Sequence, residues 1–285
     1  MPLGFKEWGV RFHAIELGRY SGAALEGVVG APMRNERVKA CLNLHAVLPN
    51  LEEVVAFDPQ VAELTRTWDV TVEFRVRHGP QAHVAIHEGR CRVRPGPADK
   101  PHVRLWFTSP RHLNAMFEGR AKPIPTKGFS RLGFLSGEFP KLTDRMERYL
   151  RASEETLKDR RTFELVTRCL LFTAVFGLKE LAENDPAVAE LAAQTPNGTT
   201  EFRILPDGPA VHLTHANGSF SVGKGPAPSP NARMAFRDYD VCHRLLNGRM
   251  DTFAAVGRGD VVITGFLPLV DRLSSLLEYL ERYLK

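Results

Sequence analysis

An internal repeat constrains this chain more than any other feature. Pro101–Arg120 (PHVRLWFTSPRHLNAMFEGR) aligns without gaps on Pro230–Arg249 (PNARMAFRDYDVCHRLLNGR), with proline, arginine, phenylalanine and the final Gly-Arg in register. Upstream, Asp58–Leu64 matches Asp185–Leu191, Glu73-Phe74-Arg75 matches Glu201-Phe202-Arg203, and Cys41 matches Cys169. Downstream, Gly137 and Pro140 match Gly265 and Pro268. A duplicated unit sets domain boundaries and separates what the fold needs in both copies from what one copy does alone. The similarity runs from Val38 to Leu150 and again from Val166 to Leu284, with the join near residue 155. The expected organisation is an extension over 1–35, rich in glycine and alanine around Ser21 to Ala31, then one domain over 36–155 and a second over 156–285.

The chain has 285 residues, 43% of them apolar, which suffices for two cores. Its apolar runs, such as Cys169 to Gly177, stop well short of a bilayer span. The start, Met-Pro-Leu-Gly-Phe-Lys-Glu-Trp, lacks the basic and then unbroken apolar stretch of a secretory signal, so a cytoplasmic location is expected. Cys41, Cys91, Cys169 and Cys242 stand far apart without a C-x-x-C pair, the pattern of buried thiols in a reducing compartment.

Within one repeat, Asp58-Pro59 and Asp185-Pro186 announce what reads as the first helix, an aspartate capping free amides and a proline costing nothing at the first helical position. Val70, Val72, Phe74 and Val76 then alternate with Thr71, Glu73, Arg75 and Arg77, a two-residue period that predicts a strand with one wet face. Ala82, Val84 and Ile86 follow, then Cys91 and Val93, then Val103, Leu105 and Phe107, separated by turn residues in the manner of an antiparallel meander. Ser109-Pro110 and Asp238 cap a helix carrying Leu113, Met116 and Phe117 in one copy and Val241, Leu245 and Leu246 in the other. Gly119 and Gly248 end it. A fifth strand is expected at Val261 to Ile263, with Leu132 to Leu135 as its looser counterpart. The chain closes in a helix bearing Val270, Leu273, Leu277, Leu280 and Leu284 at spacings of three and four, which must lie against an apolar surface.

Met234–Arg249 (MAFRDYDVCHRLLNGR) followed by Gly257–Gly265 (GRGDVVITG) resembles the sterol carrier protein type-2 domain family, and the first copy resembles it more loosely. The resemblance implies an α/β chain of α+β type: two tandem domains, each a five-stranded, mainly antiparallel sheet covered by helices and enclosing an apolar tunnel for fatty acyl chains, sterols or isoprenoid lipids. Its candidate ligand-binding residues here are Met116, Phe117, Met234, Phe236, Leu245, Leu246, Phe253, Phe266, Leu273 and Leu277. Periodicity alone does not separate a tunnel lining from a filled core. Where the second copy reads Gly257-Arg-Gly-Asp260 the first reads Gly128-Phe-Ser-Arg131, after Pro123 and Pro125, so the second copy is the better candidate for binding.

Other chemistry finds little support. His83 and His87 share a strand face but have no acidic or cysteine partner placed by sequence, and His212 and His215 in the second copy are spaced differently, so no metal is expected. Gly257-Arg-Gly-Asp-Val-Val lacks the glycine spacing and strand-to-helix context of a phosphate loop, and no cofactor is expected. No G-x-S-x-G elbow occurs, Cys242 and His243 point different ways on one helix, and the pairs Glu52-Glu53 and Glu154-Glu155 read as solvated. No catalytic residues are assigned. The net charge of +5 spreads over 38 basic and 33 acidic residues without a long run, which argues against nucleic acid and leaves room for transient contact with an anionic membrane surface. The expected partner is a hydrophobic small molecule. Three readings stand: a non-catalytic lipid carrier, a scaffold whose domain cores are filled, and an enzyme acting on a lipid or acyl thioester.

Overall fold

The computed structural model describes residues 35–284. The N-terminal extension up to residue 34 lies outside the described residues, as do Lys285 and the side chains of Leu132, Glu281 and Leu284. The chain packs as two units, one holding Glu36–Glu180 and the other the stretch from Leu181 onward. Sequence similarity changes copy near residue 155, whereas packing changes unit later, inside the helix Arg160–Asn184.

Unit 1 opens with helical turns: α1 (Glu36–Leu42), a π-helical stretch Asn43–Val47, and α2 (Asn50–Phe57). From Val38 to Val55 every residue but half-buried Lys39, His45 and Glu52 is buried, so this run is buried all round and not along one stripe. Asp58 does cap a helix, α3 (Pro59–Thr65), accepting from the amides of Gln60 and Val61, but that helix is preceded by α1 and α2 and is not the first of the copy. Four strands follow, β1 (Asp69–Val76), β2 (Gln81–His87), β3 (Arg90–Pro95) and β4 (Val103–Phe107), then α4 (Pro110–Phe117), β5 (Ile124–Lys127), α5 (Leu132–Ser136) and α6 (Glu138–Leu150).

The sheet order is β3-β2-β1-β4-β5. The expected meander therefore holds for β1 to β3 only. The long connection from Gly96 lets β4 cross to the far side of β1 and run parallel to it, with Val72 opposite Val103. His102 fixes this crossover: its backbone amide donates to the Thr71 carbonyl at 2.9 Å and its Nδ1 accepts from the Thr71 amide at 3.0 Å.

The fifth strand of unit 1 lies at Ile124–Lys127, and Leu132 to Leu135, expected to be the counterpart of Val261 to Ile263, are helical. Gly128 ends this strand and is the structural counterpart of Gly265, which turns beside the Asn231 carbonyl in the same way; the pairing of Gly265 with Gly137 expected from the sequence does not hold. Gly128 turns the chain at φ +90°, so close to β4 that a Cβ there would stand 2.6 Å from the His102 carbonyl oxygen. The next apolar residues are thereby turned off the sheet edge, and Phe134 packs edge-on against Trp68, with ring centroids 4.8 Å apart.

After α7 (Arg160–Asn184), unit 2 repeats the plan with a 3-10 turn Pro186–Val188, α8 (Ala189–Ala193), β6 (Gly198–Ile204), β7 (Ala210–Ala216), β8 (Ser219–Lys224) and β9 (Ala232–Phe236). It ends in α9 (Tyr239–Leu246), α10 (Thr252–Gly257), β10 (Val261–Gly265) and α11 (Leu267–Leu284). The order β10-β9-β6-β7-β8, with β6 parallel to β9, matches the first sheet strand for strand. Each unit is thus a five-stranded mixed sheet packed with helices, an α+β fold.

The repeat extends to polar devices that sequence identity alone would not pick out. Glu73 accepts from Arg104 at 3.0 Å, as Glu201 does from Arg233 at 2.9 Å. His83 Nδ1 bonds the Gly96 carbonyl at 3.2 Å, as His212 Nδ1 does that of Gly225 at 3.1 Å. The capping aspartates each accept from a tyrosine near the end of the domain, Asp58 from Tyr149 at 2.6 Å and Asp185 from Tyr283 at 2.7 Å. The strand face expected to be wet is accordingly not uniformly so, since Glu73 is buried.

Candidate ligand site

Two faces of the second sheet can be told apart by their chemistry. One carries Glu201, whose carboxylate takes Arg233 on one oxygen and the Ala227 amide, at 2.8 Å, on the other. The opposite face, set by the two-residue period of the strands, carries Phe202 and Ile204 on β6, Val211 and Leu213 on β7, and Met234 and Phe236 on β9, all buried. Register brings Met234 beside Phe202 and Phe236 beside Ile204, and sets Val261 and Ile263 of β10 across from Phe236 and Met234.

Helices α9 and α11 cover this inner face. Asp238 starts α9 by accepting from the Val241 amide at 2.8 Å, and Gly248, at φ +63°, stops it. The helix buries Val241, Leu245 and Leu246. From α11 come Leu269, Val270, Leu273, Leu276 and Leu280, all buried. Met234, Phe236, Leu245, Leu246 and Leu273, named from sequence as candidates, are therefore brought together in one apolar layer, with Leu277 half-buried at its margin.

Phe253 and Phe266 are not part of that layer. They stand 52% and 44% exposed; Val256 of α10 and Leu267 at the start of α11 are exposed too, as is Val262, which points to the other face of the edge strand β10. Arg237 and Arg258 both pair with Asp260, Arg258 at 2.8 Å. In unit 1, Phe117 is buried, and Met116 packs half-buried against the same core.

Two buried polar atoms of the inner face went unread in the sequence. Thr200 Oγ1 and His215 Nε2 are enclosed and have no hydrogen-bond partner. The signal was present in the repeat: register aligns Thr200 with Val72 and His215 with Ile86, so hydrogen-bonding residues in the second copy replace aliphatic ones in the first.

The residues weighed for other chemistry have structural partners. His87 is exposed beside Asp69, at 3.3 Å. Glu52 and Glu53 are not solvated as expected: Glu52 accepts from the Val93 amide at 2.7 Å, and buried Glu53 pairs with Arg168 at 3.4 Å. All four cysteines are buried, and burial pushes the Cys41 thiol up to about 12 and that of Cys242 well above its ordinary value, which suppresses thiolate formation. Among the described residues no group of three His, Cys, Asp or Glu side chains is placed to hold a metal ion, and no helix is long and apolar enough to cross a membrane.

No protein-family model and no curated protein matches this chain. Among solved structures it is similar to the sterol carrier protein domain 2 of Helicoverpa armigera, at 20% identity and a TM-score of 0.33, over 40% of this chain and 89% of that one. It is similar also to sterol carrier protein 2 from Yarrowia lipolytica, at 17% identity and a TM-score of 0.28, over 42% of this chain and 90% of that one. A UbiJ-SCP2 ubiquinone synthesis protein matches at 13% identity and a TM-score of 0.31, over 38% and 91%. The resemblance to sterol carrier protein 2 domains drawn from the sequence is met again in these structures.

Proposed function

We propose that this protein binds and carries a hydrophobic ligand, a fatty acyl chain, sterol or isoprenoid lipid, between the sheet and helices of unit 2, without a catalytic step. The observation that carries this reading is the buried apolar layer under α9 and α11, with Phe253, Val256, Phe266 and Leu267 exposed on the segments next to it in sequence. Exposed apolar side chains of this kind mark a surface that meets a ligand, a membrane or a partner. Here they border an edge strand and the start of a covering helix, elements that can part without breaking the sheet. An alkyl chain entering there gains about 0.8 kcal/mol per methylene removed from water, before the cost of immobilising it.

Unit 1 supports the scaffold reading for itself. Its inner face carries Val70, Val72, Ile86, Val103 and Phe107, branched or aromatic and all buried, as befits a filled core. The division of labour proposed is that unit 2 binds and unit 1 stabilises.

Displacement of a fluorescent fatty acid from the full chain tests the reading. Binding of the probe, with competition by at least one unlabelled acyl, sterol or isoprenoid lipid, is expected. A probe that stays unbound, with no ligand retained from any of these classes, would refute it.

A further inference from the structure

The two copies differ most informatively at one end of the inner sheet face. In unit 1 that end is built from Val70 and Val72 on β1, Ile86 on β2 and Val103 on β4, all buried. Register sets Val72 opposite both Val84 and Val103, and pairs Ile86 with Val70. The same register in unit 2 sets Thr200 opposite Leu213 and Ala232, and pairs His215 with Gly198. Aliphatic bulk has thus given way to glycine, alanine, a hydroxyl and an imidazole. Phe220, where unit 1 has Cys91, returns some volume and stacks on the His215 ring, with centroids 4.4 Å apart.

Both polar side chains are enclosed, Thr200 at 0% and His215 at 3% exposure, yet Thr200 Oγ1 and His215 Nε2 have no partner. A buried hydrogen-bonding atom left unsatisfied costs free energy, so native proteins rarely keep one without a use. Here there are two, on adjacent strands of one face and two residues apart along it, a diagonal pairing close enough for one small group to reach both. The end is roofed by α11: a Cβ on Gly198 would come within 3.0 Å of Leu269 Cδ2.

The chemistry of the missing group follows from the histidine. His215 Nδ1 stands 3.1 Å from the Pro196 carbonyl oxygen, which can only accept. In the neutral ring Nδ1 therefore carries the proton, and Nε2 is an acceptor. It calls for a donor. A threonine hydroxyl can donate in turn. A ligand hydroxyl satisfies both, donating a hydrogen bond to Nε2 and accepting one from Thr200.

Resting on the reading of unit 2 as a lipid site, we propose that this end of its inner face is a polar subsite, in which Thr200 and His215 receive the hydroxyl group of an otherwise apolar ligand. The apolar body then lies along the layer formed by Phe202, Met234 and Leu273. The first copy, with Val72 and Ile86 at these positions, has no such subsite.

The test compares dodecanol with dodecyl methyl ether, which keeps the oxygen and loses the donated proton, as ligands of the full chain. Dodecanol is expected to bind about tenfold more tightly than the ether, an advantage lost in His215→Phe. Thr200→Val, which keeps the shape and is the residue of the first copy, is expected to weaken dodecanol binding by about tenfold. In the unmodified protein the 15N resonance of His215 Nε2 should move on adding dodecanol and not on adding the ether, a readout that needs no variant. Alcohol and ether binding alike, with the Nε2 resonance unmoved, overturns the subsite and leaves lipid binding standing; a buried water as the sole occupant gives this result. Binding of neither probe overturns lipid binding and the subsite with it.

Discussion

Replacing Tyr283 by phenylalanine should weaken unit 2 more than replacing Tyr149 weakens unit 1. Both tyrosines donate to the aspartate that caps the turn before the sheet, yet the aspartates differ in what else they hold. Asp185 uses Oδ1 to accept from the Ala187 amide at 3.0 Å and Oδ2 to accept from Tyr283. Loss of the phenol leaves Oδ2 of an almost fully buried carboxylate without that bond, a deletion worth about 1.5–3 kcal/mol for a charged acceptor. Asp58 receives Tyr149 on Oδ2 as well, but Arg145 Nε reaches the same oxygen at 2.5 Å. That carboxylate stays paired in Tyr149→Phe, and the cost should be about 1 kcal/mol. Hydrogen exchange followed by peptide mass spectrometry reads each unit separately, since protected amides of β1–β4 and β6–β9 report on their own sheets. A larger loss in Tyr149→Phe than in Tyr283→Phe would refute the reasoning, because it would mean that Arg145 does not hold Asp58 when the phenol is gone.

Other consequences can be checked with the same material. Burial opposes charge on His45, but the Glu180 carboxylate at 2.9 Å outweighs it and holds the imidazole above its ordinary 6.5, while burial of Glu180 is outweighed by His45 and Lys179 and its carboxyl lies below 4.5. The stability due to raised His45 is complete below its unfolded value and is lost as pH rises through the folded one; that due to lowered Glu180 is complete above its unfolded value and is lost as pH falls. His45→Gln should therefore destabilise unit 1 most between about pH 4.5 and 6.5, and a urea-midpoint profile with no maximum there would contradict the pairing. Burial and the bond to Asp58 push the Tyr149 phenol up to about 12, so unit 1 should lose stability as pH rises from about 10 through 12, a loss absent from Tyr149→Phe. Gly128→Ala should cost about 1–3 kcal/mol and loosen β5, seen as faster exchange of the Lys127 amide, because the new Cβ meets the His102 carbonyl at a left-handed φ. Thr200→Val should raise the stability of the ligand-free protein by about 1 kcal/mol in urea unfolding, since it replaces an unpartnered buried hydroxyl with a methyl group of the same shape.

The features legible in the sequence are those with a local cause. The alternation of Val70, Val72, Phe74 and Val76 reads directly as a strand, and Ser109, Asp238, Gly119 and Gly248 mark helix ends because capping and left-handed backbone are satisfied within a few residues. The parallel pairing of β4 with β1 was not legible, because it depends on where the chain from Gly96 to His102 crosses the sheet. The fifth strand of unit 1 shows the same limit: Leu132-Gly-Phe-Leu has apolar residues suited to an edge strand, and only the fold shows that Gly128 beside His102, like Gly265 beside Asn231, closes the strand upstream of them. Of the candidate site, the buried layer followed from helix and strand periods, whereas Phe253 on the short α10 and Phe266 between β10 and α11 have no such period to place them, and both are exposed. Thr200 and His215 were hidden by a different cause. A polar residue on an alternating strand looks like a wet position until register places it on the inner face.

The central claim, that unit 2 takes up an apolar ligand, is tested most directly by native mass spectrometry of the full chain after incubation with a mixture of acyl, sterol and isoprenoid lipids. The account predicts a chain carrying one retained lipid, with the adduct reduced when Met234, at the middle of the buried layer, is replaced by tryptophan and unchanged when Leu105, its counterpart in unit 1, is replaced instead. A spectrum of bare protein from a correctly folded sample, or an adduct that follows Leu105 and not Met234, would contradict it.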